Sequence, residues 1–182
     1  MEQVVRRVIH EIPVRILNTR PEIDTEQVTA RLTAALDLVA TYAPHCFRRL
    51  PADLSGFVVE RFPCRGAFDP VSRECLVELT FTVNPRHSLP EIAASIVHEA
   101  THARVARWCR TRRPEWRARE ERLCRRAELE FGLAVPDAGI VVERARAALT
   151  MTAEEVAPTI DWREAARRVA EVDAAARDVG KP

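Results

Sequence analysis

The sequence predicts an α+β fold. Two segments, residues 55–62 and 74–83, carry strand-like patterns rich in β-branched residues. Helical periodicity runs before them and again after them, and no internal repeat organises the chain. Helix, strands, then helices is the order of an α+β domain. At 182 residues the chain is long enough for one domain with a core of its own, taken as 1–182 with a motif-bearing centre at about 54–132 and C-terminal helices at about 138–179.

Composition narrows the functional classes. The net charge is +1, so the whole molecule is not drawn to polyanions. Lys181 is the only lysine; with the many alanines, this reads as a compositional bias of the source genome. The opening "MEQVVRRVIHEIP" has no apolar signal core, and no stretch reaches the length of a membrane span. Five cysteines (Cys46, Cys64, Cys75, Cys109, Cys124) lack a CxxC pair and read as reduced thiols. A cytoplasmic protein is the expectation.

Residues 4–17 are expected to form a first strand interrupted at Pro13. Asp24 with Gln27 has the form of a capping box, and Val28, Leu32, Leu36 and Val39 follow at helical spacing until Pro44. The segments 55–62 and 74–83 then read as the two arms of a long hairpin. In the second, Cys75, Val77, Leu79, Phe81 and Val83 share one face, and the face of Leu76, Glu78, Thr80 and Thr82 is more polar, suited to lining a cleft.

"SLPE" at 88–91 is a capping box, with Ser88 as N-cap and Glu91 at the third helical position. Ile92, Ala93, Ala94, Ile96, Val97, Ala100 and Ala103 then cover nearly every side of the helix, the mark of a buried one. A break is expected at "TRRP" (111–114). The next helix, "EWRAREERLCRRAELEF", is expected to bury Trp116, Leu123, Ala127 and Phe131 and to end at Gly132. Further helices are expected near 139–149 and 162–178, the last with Ala166, Val169, Val172 and Ala176 on one side.

Polar residues in the buried helix point to a site. His98 and His102 stand at i and i+4, so both imidazoles face the same way and can grip one ion at ~2.0–2.1 Å each. Glu99 projects from the neighbouring face, within reach of a water on that ion. Left unsatisfied, each of these groups would cost about 1–3 kcal/mol. His98-Glu99-Ala100-Thr101-His102 is the H-E-x-x-H arrangement of zinc peptidases. A catalytic zinc also needs a third protein ligand, and the following helix offers Glu120, Glu121, Glu128 and Glu130.

In "SIVHEATHARV" and the eighteen residues separating His102 from Glu121, the chain resembles the gluzincin branch of the zincin metallopeptidases. "EERLCRRAE" is similar to a run in bacterial HExxH proteins. The resemblance covers about residues 74–131 and implies a zincin-like fold: a short sheet, the HExxH helix and a glutamate-bearing helix. It implies zinc held by His98, His102 and Glu121, with water in the fourth place and Glu99 as general base. Glu120 is the second candidate ligand, on the centre of the expected apolar stripe. Glu128 is either a group supporting the ligands or an exposed acid paired with Arg125 or Arg126. Arg104 stands where peptidases of this kind carry an apolar residue. No His or Tyr follows His102 to steady an oxyanion, which leaves Tyr42, His45, His87 or an arginine.

The function implied is zinc-dependent hydrolysis of peptide or protein substrates. The rival is a metal-binding sensor or interaction domain without proteolysis. Ten arginines between 104 and 126 make a nucleic-acid partner a further alternative, though only Trp108 and Trp116 interleave them.

Overall fold

The chain first reverses at His10 and Glu11, which take left-handed backbone angles (φ 49° and 63°). Across that turn β1 (Gln3–Ile9) pairs antiparallel with β2 (Ile12–Asn18). The expected single strand is thus two, and the break precedes Pro13, which sits inside β2 opposite Val8. This is seen in a computed structural model that describes residues 3–109, 116–159 and 161–179.

Three more strands complete a mixed sheet: β3 (Gly56–Glu60), β4 (Gly66–Asp69) and β5 (Glu74–Glu78), in the order β1-β2-β3-β5-β4. β3 runs parallel to β2 and to β5. The expected hairpin of 55–62 with 74–83 is therefore corrected. The intervening loop supplies β4, which turns back on β5 antiparallel through Arg73 (φ 58°). β5 also stops sooner than expected. The Glu78 carboxylate accepts the N–H of Phe81 and caps a short helix over what reads as strand.

The helices are α1 (Thr25–Tyr42), α2 (Pro44–Phe47), α3 (Leu50–Asp53), α4 (Leu79–Val83), α5 (Leu89–Trp108), α6 (Arg117–Ala134), α7 (Gly139–Leu149), α8 (Ala153–Val156) and α9 (Trp162–Val179). Asp24 caps α1, through Glu26 N rather than in a box with Gln27. Val28, Leu32, Leu36 and Val39 are fully buried, as their spacing predicts. Each buried Leu contributes about 1.5–3 kcal/mol. The α5 box forms as read: Ser88 accepts from Glu91 N, and Glu91 accepts from Ser88 N. Every residue from Glu91 to Ala100 is buried, because α5 packs on α1, α6, β4 and β5.

α6 departs from expectation. It continues through Gly132 to Ala134, and a side chain at Gly132 would meet Val141 Cγ1 at 3.0 Å, so the glycine permits α6 and α7 to approach. Its buried face is Cys124, Glu128 and Phe131, while Trp116 and Leu123 are 46% and 42% exposed. The expected stripe is thus rotated toward the acids. Among the described side chains of α9, Asp173 is buried and Val172 exposed, and Ala176 of the expected stripe lies outside them. The expected break at "TRRP" lies outside the described residues. No helix among the described residues is long and apolar enough to cross a membrane.

Candidate metal centre

The seam between α5 and α6 gathers the polar groups singled out above. α5 brings His98 and His102 one turn apart, with Nε2 atoms 3.1 Å from each other. Two nitrogens on one tetrahedral ion at ordinary bond lengths stand about 3.3 Å apart. Glu121 reaches between them, Oε2 lying 3.3 Å from His98 Nε2 and Oε1 3.3 Å from His102 Nε2. The far sides of the rings meet other acids. His102 Nδ1–H donates to Glu120 Oε1 at 2.7 Å. His98 Nδ1 lies 3.3 Å from Glu128 Oε1 without hydrogen-bond geometry and has no other partner among the described residues. Each imidazole thus presents Nε2 to a common point and has a carboxylate behind it, as metal-binding histidines do.

The two contested glutamates therefore take separate positions. Glu121 faces both Nε2 atoms, and Glu120 faces the Nδ1 of His102. Glu128 pairs with Arg125, whose Nη1 donates to it at 2.9 Å, but it is buried and not the exposed acid of that alternative. Glu99 is buried on the neighbouring face of α5. Its carboxylate lies against β4: a side chain at Gly66 would come within 3.2 Å of Glu99 Oε1 and 2.5 Å of Ser95 Oγ. Only glycine lets the strand backbone approach the helix this closely. Strand patterning alone did not single out Gly66.

Electrostatics follow from burial and from the surplus of acid. Burial pushes the imidazoles toward neutrality. For His98 the carboxylates of Glu121 and Glu128 outweigh it and leave the pKa raised. For His102, Cys124, Glu120 and Glu121 outweigh it and push the pKa up to about 12. Burial likewise raises Glu121, yet the two imidazoles hold its carboxyl far below the ordinary range. Burial dominates at Glu99 and raises its pKa, against the pull of His98 and His102. Cys124, fully buried, is pushed up to about 11 by burial, with His102 opposing.

From sequence, Cys109 and Cys124 are open as additional soft ligands, with a buried structural thiol the preferred reading for each. The ligand atoms of His98, His102 and Cys124 all lie within 4.8 Å of one another. The signal for Cys124 was the i, i+3 spacing from Glu121, which puts both on one face of α6.

The remaining candidates lie elsewhere. His87 pairs with Glu91 at 3.3 Å and packs on Phe81. Tyr42 and His45 line a pocket of about 280 Å³ with Val97, Thr101, Arg104 and Phe131. Several arginines of the 104–126 run are spent within the molecule. Arg104 and Arg107 lie 3.6 and 3.3 Å from Asp53, Arg104 also stacks on Trp108, Arg122 donates to Met151 O, and Arg125 to Glu128. Arg110, Arg112 and Arg113 lie outside the described residues.

Compared with protein-family models, curated proteins and solved structures, the chain finds no match.

Proposed function

We propose that the chain is a zinc-dependent metallopeptidase, zincin-like and similar to the gluzincins. The observation that carries this reading is the convergence of both histidine Nε2 atoms, 3.1 Å apart, on a Glu121 carboxylate 3.3 Å from each. The donor set of two imidazoles and a carboxylate is that of catalytic zinc sites. Bound zinc supplies Lewis acidity, polarising a carbonyl and acidifying water.

The protein's own residues would do the rest. His98 and His102 bind through Nε2, and Glu120 fixes the His102 ring by accepting from Nδ1–H. Glu99 accepts a proton from the attacking water on its carboxylate and passes it to the leaving amine. β4 is the last strand of the sheet and lies against Glu99, so an extended peptide added to its edge would pass the base.

A second reading, a metal-holding domain without hydrolysis, is favoured by Cys124, whose thiol stands where it can compete for an open ligand position. The test is cleavage of a broad peptide library by the zinc-loaded protein, before and after chelation. Cleavage abolished by chelator and restored by zinc supports the peptidase. A zinc-loaded protein that cleaves nothing leaves the second reading.

A further inference from the structure

Cys124 differs from the other buried thiol of this chain. Cys75 and Cys124 are both 0% exposed. Cys75 belongs to the hydrophobic core cluster, between strand and helix side chains; Cys124 does not. It is buried instead among ionisable groups, on the face of α6 that carries Glu121 and Glu128. An apolar role would place the thiol among apolar neighbours. Its surroundings are the imidazoles of His98 and His102, with all three ligand atoms inside 4.8 Å.

We propose that Cys124 is a metal ligand, completing with His98, His102 and Glu121 a site of four protein donors. This rests on the metal-centre reading above and adds to it. A tetrahedral zinc at ordinary Zn–N and Zn–S lengths separates nitrogen and sulfur by about 3.6 Å. The two imidazoles and the thiol reach that by closing at most about 1.2 Å, a side-chain adjustment. Charge balances: two neutral imidazoles, one carboxylate and one thiolate neutralise a divalent ion. On binding, the S–H proton leaves to solvent and the sulfur–metal bond takes its place. A thiolate also biases the site toward zinc over magnesium, calcium or manganese, which favour oxygen donors.

The consequence concerns the resting state. Four protein donors make a closed site, and hydrolysis needs an open position. Sγ would then hold the site shut until it is displaced, so Cys124 governs access to the fourth position and is not part of the hydrolytic machinery itself.

The test is cobalt substitution in the full chain. The protein is stripped with chelator and reloaded with Co(II) alone, and its absorption is recorded beside Cys124→Ser, Cys124→Ala and a His98→Ala/His102→Ala double variant. The expected result is one cobalt per chain, visible d–d bands, and a thiolate-to-cobalt charge-transfer band in the near ultraviolet. Both Cys124 variants should keep the d–d bands and lose the charge-transfer band. Bands of the d–d type with no charge transfer in the wild type would overturn the proposal while leaving the metal centre standing; so would a charge-transfer band that survives Cys124→Ser. A wild type that takes up no cobalt, or a double-histidine variant that takes up as much, overturns both. Should the Cys124 variants fail to fold, X-ray absorption on the zinc-loaded wild type still decides, with one sulfur at ~2.3 Å expected and an all-nitrogen-and-oxygen shell the contrary result.

Discussion

Two of the places where the protein buries charge are completed differently. At the end of the sheet, Arg61 is held by Glu78 and Asp173, Arg20 also reaches Asp173 at 2.8 Å, and Thr80 Oγ1 accepts from Arg61 at 3.1 Å. With Glu22 on Arg20, two guanidiniums meet three carboxylates, and every one of these groups has a partner inside the cluster. In the α5–α6 seam four carboxylates (Glu99, Glu120, Glu121, Glu128) surround two imidazoles, with Arg125 and the more distant Arg144 as the balancing cations. One imidazole nitrogen there lacks a hydrogen-bond partner, and two others crowd to 3.1 Å. A structural ion cluster satisfies itself with protein groups. With its two imidazoles neutral, as metal ligation requires, the seam would carry an excess of acid that a divalent cation could offset. That contrast is the physical case for a metal, independent of any sequence motif.

The sharpest way to break the contrast is to remove the histidines. Purified protein is expected to carry close to one zinc per chain, and His98→Ala or His102→Ala to lose it. Elemental analysis finding equal zinc in the double variant would make the seam an ordinary ion cluster. Glu99→Gln comes next. It keeps the shape and removes the base, so zinc content should hold while turnover on any cleaved peptide falls at least ~100-fold. Zinc lost from Glu99→Gln would instead put Glu99 among the ligands.

Glu121 and Glu120 divide the seam more finely. Glu121→Ala removes a group facing both Nε2 atoms. Glu120→Ala removes the acceptor behind His102, a loss expected to weaken binding roughly 10–100-fold. Chelator competition should therefore rank Glu121→Ala as the weaker zinc binder. The reverse order would make the acid behind the ring the ligand.

The seam was legible on its α5 side. A capped helix, apolar on every side, contains His98, Glu99 and His102, and burial turns those three into a demand for a partner. α6 was harder to read, because its buried face holds acids and a thiol while Leu123 and Trp116 face outward. Apolar periodicity therefore set the helix rotation wrongly, and Glu121 was favoured by its spacing from His102 and its place at the edge of the expected stripe. The sheet was legible as strands but not as pairing. Parallel β3 and β5, and the insertion of β4, depend on partners distant in sequence, and Glu78 ended β5 by capping a helix that β-branched residues disguised. The sheet-end cluster was invisible, since Arg20, Arg61 and Asp173 are far apart along the chain.

That cluster yields the smallest expected effect and tests the other half of the comparison. Burial alone would raise the Asp173 pKa; the Arg61 and Arg20 guanidiniums overcome it and hold the carboxyl below its ordinary value. A depressed folded pKa contributes stability that is present above the unfolded value, about 3.9, and is lost as pH falls through the folded one. α9 should thus be held at neutral pH and loosen below about pH 4. Asp173 is the buried anchor of α9, whose Trp162 and Val172 are exposed. Asp173→Asn should cost about 1.5–3 kcal/mol, the worth of hydrogen bonds to a charged group, and should flatten the acid limb of a melting-temperature profile. Limited proteolysis should cut the variant first within α9, with zinc content unchanged. If the variant instead lost zinc, the sheet end and the seam would be one coupled system, and the separation between a self-satisfied cluster and the proposed metal site would fail.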